Sequence, residues 1–338
     1  MDILKTKRID ISLNLLRLIA MFLIINSHSD VLYPSKFRFI ASGGAIGNGL
    51  FFMLSGYFFK SKIDKKMDYL LNRFLRLFLP AWIMIIISLI FGEIKINGVT
   101  DAIRLLIWPT RFWFVGAILV FYILMCLILQ KYEVEDKKRF FILSMIIVIL
   151  NILAWIFLVP DKNKWVIENV RIFKIIPYKI IYCFFEFCLG YYLKMNSNKI
   201  KHKIKIYLVL SGMTLIGFYG FKFLLNKGIV SMKMQIISQP LTVLCCFFLL
   251  QSFMRIDLNS VLQNKKLGNV INNLSGLSLE TYVVQFVVIA FVNSLHLKFP
   301  LNCFVCYIMV FVFAWILHSI DKRILDSAFH IGTRHHMH

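Results

Sequence analysis

Of the chain's 338 residues, 59% are hydrophobic, 17% are charged and 33 are phenylalanine, against about 45–50% apolar and about 25% charged in soluble domains. That is more apolar surface than one or two soluble cores bury, which excludes an ordinary globular protein. A formal net charge of +22 would suit nucleic-acid binding, but the basic residues fall largely between apolar spans, and no nucleic-acid partner is expected.

A hydrocarbon core of about 30 Å needs about 20 consecutive apolar residues. Ten stretches meet this in chain order: 11–32, 43–59, 77–92, 112–130, 140–159, 176–193, 206–225, 236–254, 277–295 and 301–320. The expected fold class is therefore all-α, a polytopic membrane helix bundle of about ten transmembrane helices. Residues 8–320 read as a single transmembrane domain and 321–338 as a short cytoplasmic tail. The first run passes into Asn26-Ser27-His28-Ser29-Asp30 without a small-residue cleavage site, so it is expected to stay as the first span.

Basic loops resist translocation. One set of alternate loops and ends holds 24 of the 39 Lys and Arg residues, which places both termini in the cytoplasm. The connection 160–176, with Lys162, Lys164, Trp165, Ile167 and Arg171, is expected along the outer interface.

The first span carries the most informative residues, because ionisable groups inside lipid are costly and functional by default. Arg17 and His28 are eleven residues apart. On a helix this leaves about 20° of rotation and roughly 16–17 Å of rise, so one stripe carries both. Each alone reads as a snorkelling anchor or a polar mouth residue; their shared facing favours a lined cavity.

The second span holds Gly43, Gly44, Gly47, Gly49 and Gly56, which allow close backbone approach. At its end, Ser55-Gly56 reads first as packing, with Ser55 the candidate substrate contact. Then come Lys60, Lys62, Lys65, Lys66, Arg73 and Arg76, the densest basic stretch. Arg73 and Arg76, at i and i+3, present one face and suit either phosphate, through guanidinium forks, or anionic lipid at a positive-inside anchor.

The seven cysteines all fall within apolar spans, as small hydrophobes rather than disulfide halves. No second pair follows Cys303-x-x-Cys306 at zinc spacing, so no metal site is expected. The tail histidines His335, His336 and His338 read as a frayed terminus. Glu186 and Glu280 are intramembrane acids, with Arg17 and the outer-loop lysines as candidate partners. A composition rich in Lys, Ile and Asn points to a bacterium with an AT-rich genome, hence to its plasma membrane.

Several of these residues occur in a familiar order: Arg8-Ile9-Asp10, Arg17-x10-His28, Phe51-Phe52-Met53-Leu54-Ser55-Gly56, and Arg73-x-x-Arg76 before Pro80. Together they resemble the acyltransferase 3 family of integral membrane proteins. Trp113-Phe114, Phe187-Cys188-Leu189-Gly190 and Ser278-Leu279-Glu280-Thr281-Tyr282 are similar to its later motifs. The resemblance covers most of the chain and is most specific over residues 8–80. It implies transfer of an acyl group, commonly acetyl, from cytoplasmic acyl-CoA to a hydroxyl of an extracytoplasmic or lipid-linked glycan.

On that reading Arg73 and Arg76 hold the donor's phosphates, the pantetheine arm passes Arg17, and His28 is the general base or, in a variant of the mechanism, carries the acyl group covalently. Acyl-CoA is a substrate rather than a resident cofactor. The carbohydrate acceptor and the lipid bilayer complete the expected partners. Trp113 is a candidate sugar-stacking residue, an interfacial belt position being the other reading. Two departures stand out: Gly49 where the family often has an acid, and Gln285 where it often has histidine. A transporter or flippase of lipid-linked sugars would also use a basic, aromatic cavity, but two related halves with matching broken helices are not evident.

Overall fold

The computed structural model describes residues 10–60, 63–92, 94–107, 112–131, 136–159, 161–163, 177–196, 204–262 and 265–334. Arg8, Ile9, Lys62, Lys164, Trp165, Ile167, Arg171 and the tail histidines lie outside them. The described chain is helical: α1 Ile11–His28, α2 Gly44–Tyr57, α3 Lys66–Ile90, α4 Val99–Ile107, α5 Trp113–Lys131, α6 Lys137–Leu158, α7 Pro177–Met195, α8 Ile204–Asn226, α9 Ser238–Phe253, α10 Leu258–Leu262, α11 Lys266–Gly276, α12 Ser278–Ser294 and α13 Leu301–Arg334.

Each of the ten predicted stretches coincides with a helix. Among the described residues, seven helical stretches are long and apolar enough to cross a bilayer, and an eighth is reached if α11 and α12, bent by 67°, form one span. The helix at Trp113–Leu129 is apolar but shorter.

Three boundaries differ from expectation. α1 stops at His28 rather than near 32: the chain tightens into a 3₁₀ turn over Asp30–Leu32, in which the Leu32 N–H donates to the Ser29 carbonyl at 2.9 Å. α3 begins at Lys66, eleven residues before the predicted edge at 77, and runs through Pro80. Its charged first turns are amphipathic and pack through Tyr69 and Phe74. α13 continues past 320 to Arg334, no proline or αL glycine intervening to stop it.

The chain divides into two compact units. The first comprises Met1–Leu23, Gly44–Phe59 and Tyr132–Gly276. Asp10 caps α1: its carboxylate accepts from the Leu13 N–H at 3.1 Å, satisfying a donor that the helix start leaves open. The core joins Leu13, Leu16, Ile46, Leu50, Phe218 and Cys246, among others. At its centre α2 and α7 meet backbone to backbone. A Cβ added at Gly56 would land on the carbonyl oxygen of Phe187, and one at Gly190 on that of Met53.

Small residues allow such approach where dispersion rather than water drives helix association. Gly56→Ala or Gly190→Ala should therefore force the helices apart and cost about 1–3 kcal/mol. The effect is measurable as a lower Tm of the solubilised protein, and an unchanged Tm would contradict the contact.

The second unit comprises Ile24–Gly43, Lys60–Lys131 and Leu277–His338. α3, α5, α12 and α13 supply its long helices, and Trp82 Nε1 ties α4 to α3 by donating to the Leu106 carbonyl at 3.0 Å. The segment after α1 is pinned by side-chain bonds. Asn26 Nδ2 donates to the Ile40 carbonyl at 2.7 Å, Tyr33 donates its hydroxyl to Asn26 Oδ1 at 2.7 Å, and Asn302 Nδ2 donates to the Leu32 carbonyl at 2.7 Å. Burial pushes the Tyr33 phenol up to about 12, so it remains a donor at neutral pH. All seven cysteines are free thiols and buried, as expected for small apolar residues.

Candidate functional site

α1 is unbroken from Ile11 to His28 and carries Arg17 and His28 on its length. Within the first unit, the guanidinium of Arg17 lies over the ring of Phe58, 5.1 Å from its centroid. This places Arg17 at the end of α2, where Ser55 is half-buried. Gly56 beside Ser55 is used for packing.

In the second unit His28 is the last residue of α1 and half-buried. Its ring sits 4.8 Å from that of Phe286, tilted by 58°. Phe286 belongs to an aromatic group with Phe112 at 5.9 Å and Tyr282 at 6.2 Å, and Phe114 meets Tyr282 at 5.4 Å. Trp113, which opens α5, is half-buried and contacts Phe114 edge to face at 6.3 Å. His28 and Trp113 therefore belong to one aromatic assembly.

On the same helix as Tyr282 and Phe286, Gln285 Oε1 is buried without a hydrogen-bond partner, whereas buried polar atoms are normally paired.

Arg73 and Arg76, also in the second unit, are not equivalent. Arg73 is half-buried, with its guanidinium 5.2 Å from the Tyr69 ring centroid and 5.3 Å from that of Tyr122. Arg76 is exposed. The two thus share a helix side but not an environment: one is oriented by aromatic faces and the other is open to a ligand.

The structure adds residues that spacing along the chain did not indicate. Glu280 pairs with His318, Nδ1 to Oε1 at 2.6 Å, rather than with Arg17 or an outer-loop lysine, and Asp321 lies beside them. In the first unit, Glu186 is fully buried on α7 with neither carboxylate oxygen hydrogen-bonded. A Cβ at Gly49 would strike Glu186 Oε1 and Cys246 Sγ. The departure noted at Gly49 thus has a spatial reason, since a carboxylate from another helix fills the place. Lys179 lies two turns before Glu186 on the same helix.

Apolar helices of membrane-spanning length, several of them carrying histidine, arginine or carboxylates, define a multi-pass membrane protein. The particular family follows from comparison with known ones: a model described as an acyltransferase domain matches residues 10–319. The chain belongs to this family, the acyltransferase 3 family, and is a membrane acyltransferase. No curated protein and no solved structure matches it.

Proposed function

We propose that this chain is a membrane O-acyltransferase that moves an acyl group, acetyl in the first instance, from cytoplasmic acyl-CoA to a hydroxyl of an extracytoplasmic or lipid-linked polysaccharide in a bacterial plasma membrane. The observation that carries this reading is His28, a half-buried imidazole at the end of α1 against Phe286, in a chain of acyltransferase membership.

Imidazole exchanges a proton near neutral pH, and a positioned base of this kind contributes about 10²–10⁴-fold in rate. His28 takes the proton of the sugar hydroxyl as its oxygen attacks the thioester carbonyl. The C–S bond then breaks, and the CoA sulfur leaves as a thiolate that accepts a proton. Arg76, with Arg73 oriented beside it, binds the donor's phosphates through charge-assisted hydrogen bonds. Arg17 lines the path of the pantetheine arm. Trp113 offers a flat face for a sugar ring, and Ser55 is a further substrate contact.

The test is to supply membranes containing the protein with acetyl-CoA labelled in the acetyl group. Label should enter glycan with release of free CoA, in proportion to the amount of protein. Movement of glycan without consumption of the thioester would instead identify a transporter.

A further inference from the structure

Glu280 and Asp321 lie at only 5% exposure each, on α12 and α13, with His318 one turn before Asp321. One potential ligand atom from each of the three residues lies within 4.8 Å of the others. Two sealed carboxylates this close repel when ionised, and one imidazole offsets at most half of their charge. The hydrogen bond from His318 engages Glu280 Oε1 alone. Glu280 Oε2 and Asp321 Oδ1 are buried and accept no hydrogen bond. The Glu280 and Asp321 side chains lie within hydrogen-bonding reach of each other, and neither of these two oxygens meets a donor.

We propose that Glu280, His318 and Asp321 bind a divalent transition-metal ion. One imidazole nitrogen and two carboxylate oxygens form a borderline-hard set suited to Zn²⁺ or Mn²⁺. His318 and Asp321 at i and i+3 project from one face of α13 and Glu280 projects from α12, a spacing by which helix bundles hold metals in their interiors.

Bonds of about 2.0–2.2 Å would gather the three donors by small side-chain rotations, with the metal replacing the proton shared by His318 and Glu280. The ion would neutralise the paired carboxylates and satisfy both idle oxygens. The His318 side chain is 42% exposed, so the group is not sealed within the helices on that side. This site stands on its own residues and does not depend on the acyl-transfer reading.

To test it, the full chain is purified in detergent, stripped with a chelator, equilibrated with ZnCl₂, freed of excess and assayed for zinc by mass spectrometry. One zinc per chain is expected, with a saturable rise in Tm on titration. Because His335, His336 and His338 could also take up zinc, the same measurement is made with all three changed to Ala, and the zinc should remain. Glu280→Gln, Asp321→Asn and His318→Gln should each weaken binding by at least about tenfold.

Should those variants fail to fold, Co²⁺ in the wild type provides a second readout: a spectrum of N and O ligands without the thiolate band that the buried cysteines would give. Absence of stoichiometric zinc, its loss with the tail histidines, or a thiolate band would each overturn the site. The assay contains no acyl donor, so its failure leaves the acyltransferase reading untouched, and the reverse also holds.

Discussion

His28→Ala is expected to leave a folded, membrane-inserted protein whose acyl transfer falls by about 10²–10⁴-fold, the contribution of a positioned general base. The side chain is half-buried and ends its helix, so truncation removes its ring contact with Phe286, worth about 0.5–1.5 kcal/mol, and leaves the helix itself intact. Stability should change little while activity collapses, and that separation is the informative result.

His28→Gln sharpens the comparison, since glutamine keeps hydrogen-bonding atoms but cannot carry the proton. It should be as inactive as the alanine variant. The measurement is labelled acetyl appearing in glycan per unit of folded protein, and wild-type rates in either variant would remove His28 from the reaction.

The second large effect concerns the two arginines of α3, and the structure makes it asymmetric. Arg76 is exposed and makes no packing claim on its surroundings. Arg76→Ala should raise the KM for acyl-CoA by about 10–100-fold, the value of one charge-assisted hydrogen bond of about 1.5–3 kcal/mol, at nearly unchanged Tm. Arg73 lies over Tyr69 and Tyr122, so Arg73→Ala should weaken donor use and also lower Tm, through about 0.5–2 kcal/mol of cation–π energy. Arg73→Lys should not restore either property, because an ammonium lacks the planar fork that both stacks and grips phosphate. A change confined to acceptor affinity would show that these arginines serve something other than the donor.

Much of the architecture was legible in the residues. Each apolar stretch of spanning length coincided with a helix among the described residues, because in hydrocarbon the backbone must satisfy its own hydrogen bonds and the helix does so locally. The eleven-residue spacing of Arg17 and His28 was likewise readable, being a property of one helix. Boundaries were less so. α1 gave way to a 3₁₀ turn at Asp30, and α3 was already helical by Lys66 although its first turns are too charged to register as apolar.

The sequence by itself determined the membrane class, the helical segments and the candidate reactive groups on them, since each depends on composition or on periodicity within one element. Only the tertiary structure decided which groups meet. It set Glu186 against Gly49, brought His318 and Asp321 to Glu280, and stacked Arg73 but not Arg76 on tyrosines. The reason is physical: a helix fixes the angle and rise between its own residues, whereas the neighbour each face receives depends on how whole helices pack, as where Gly56 and Gly190 let α2 and α7 close to backbone contact.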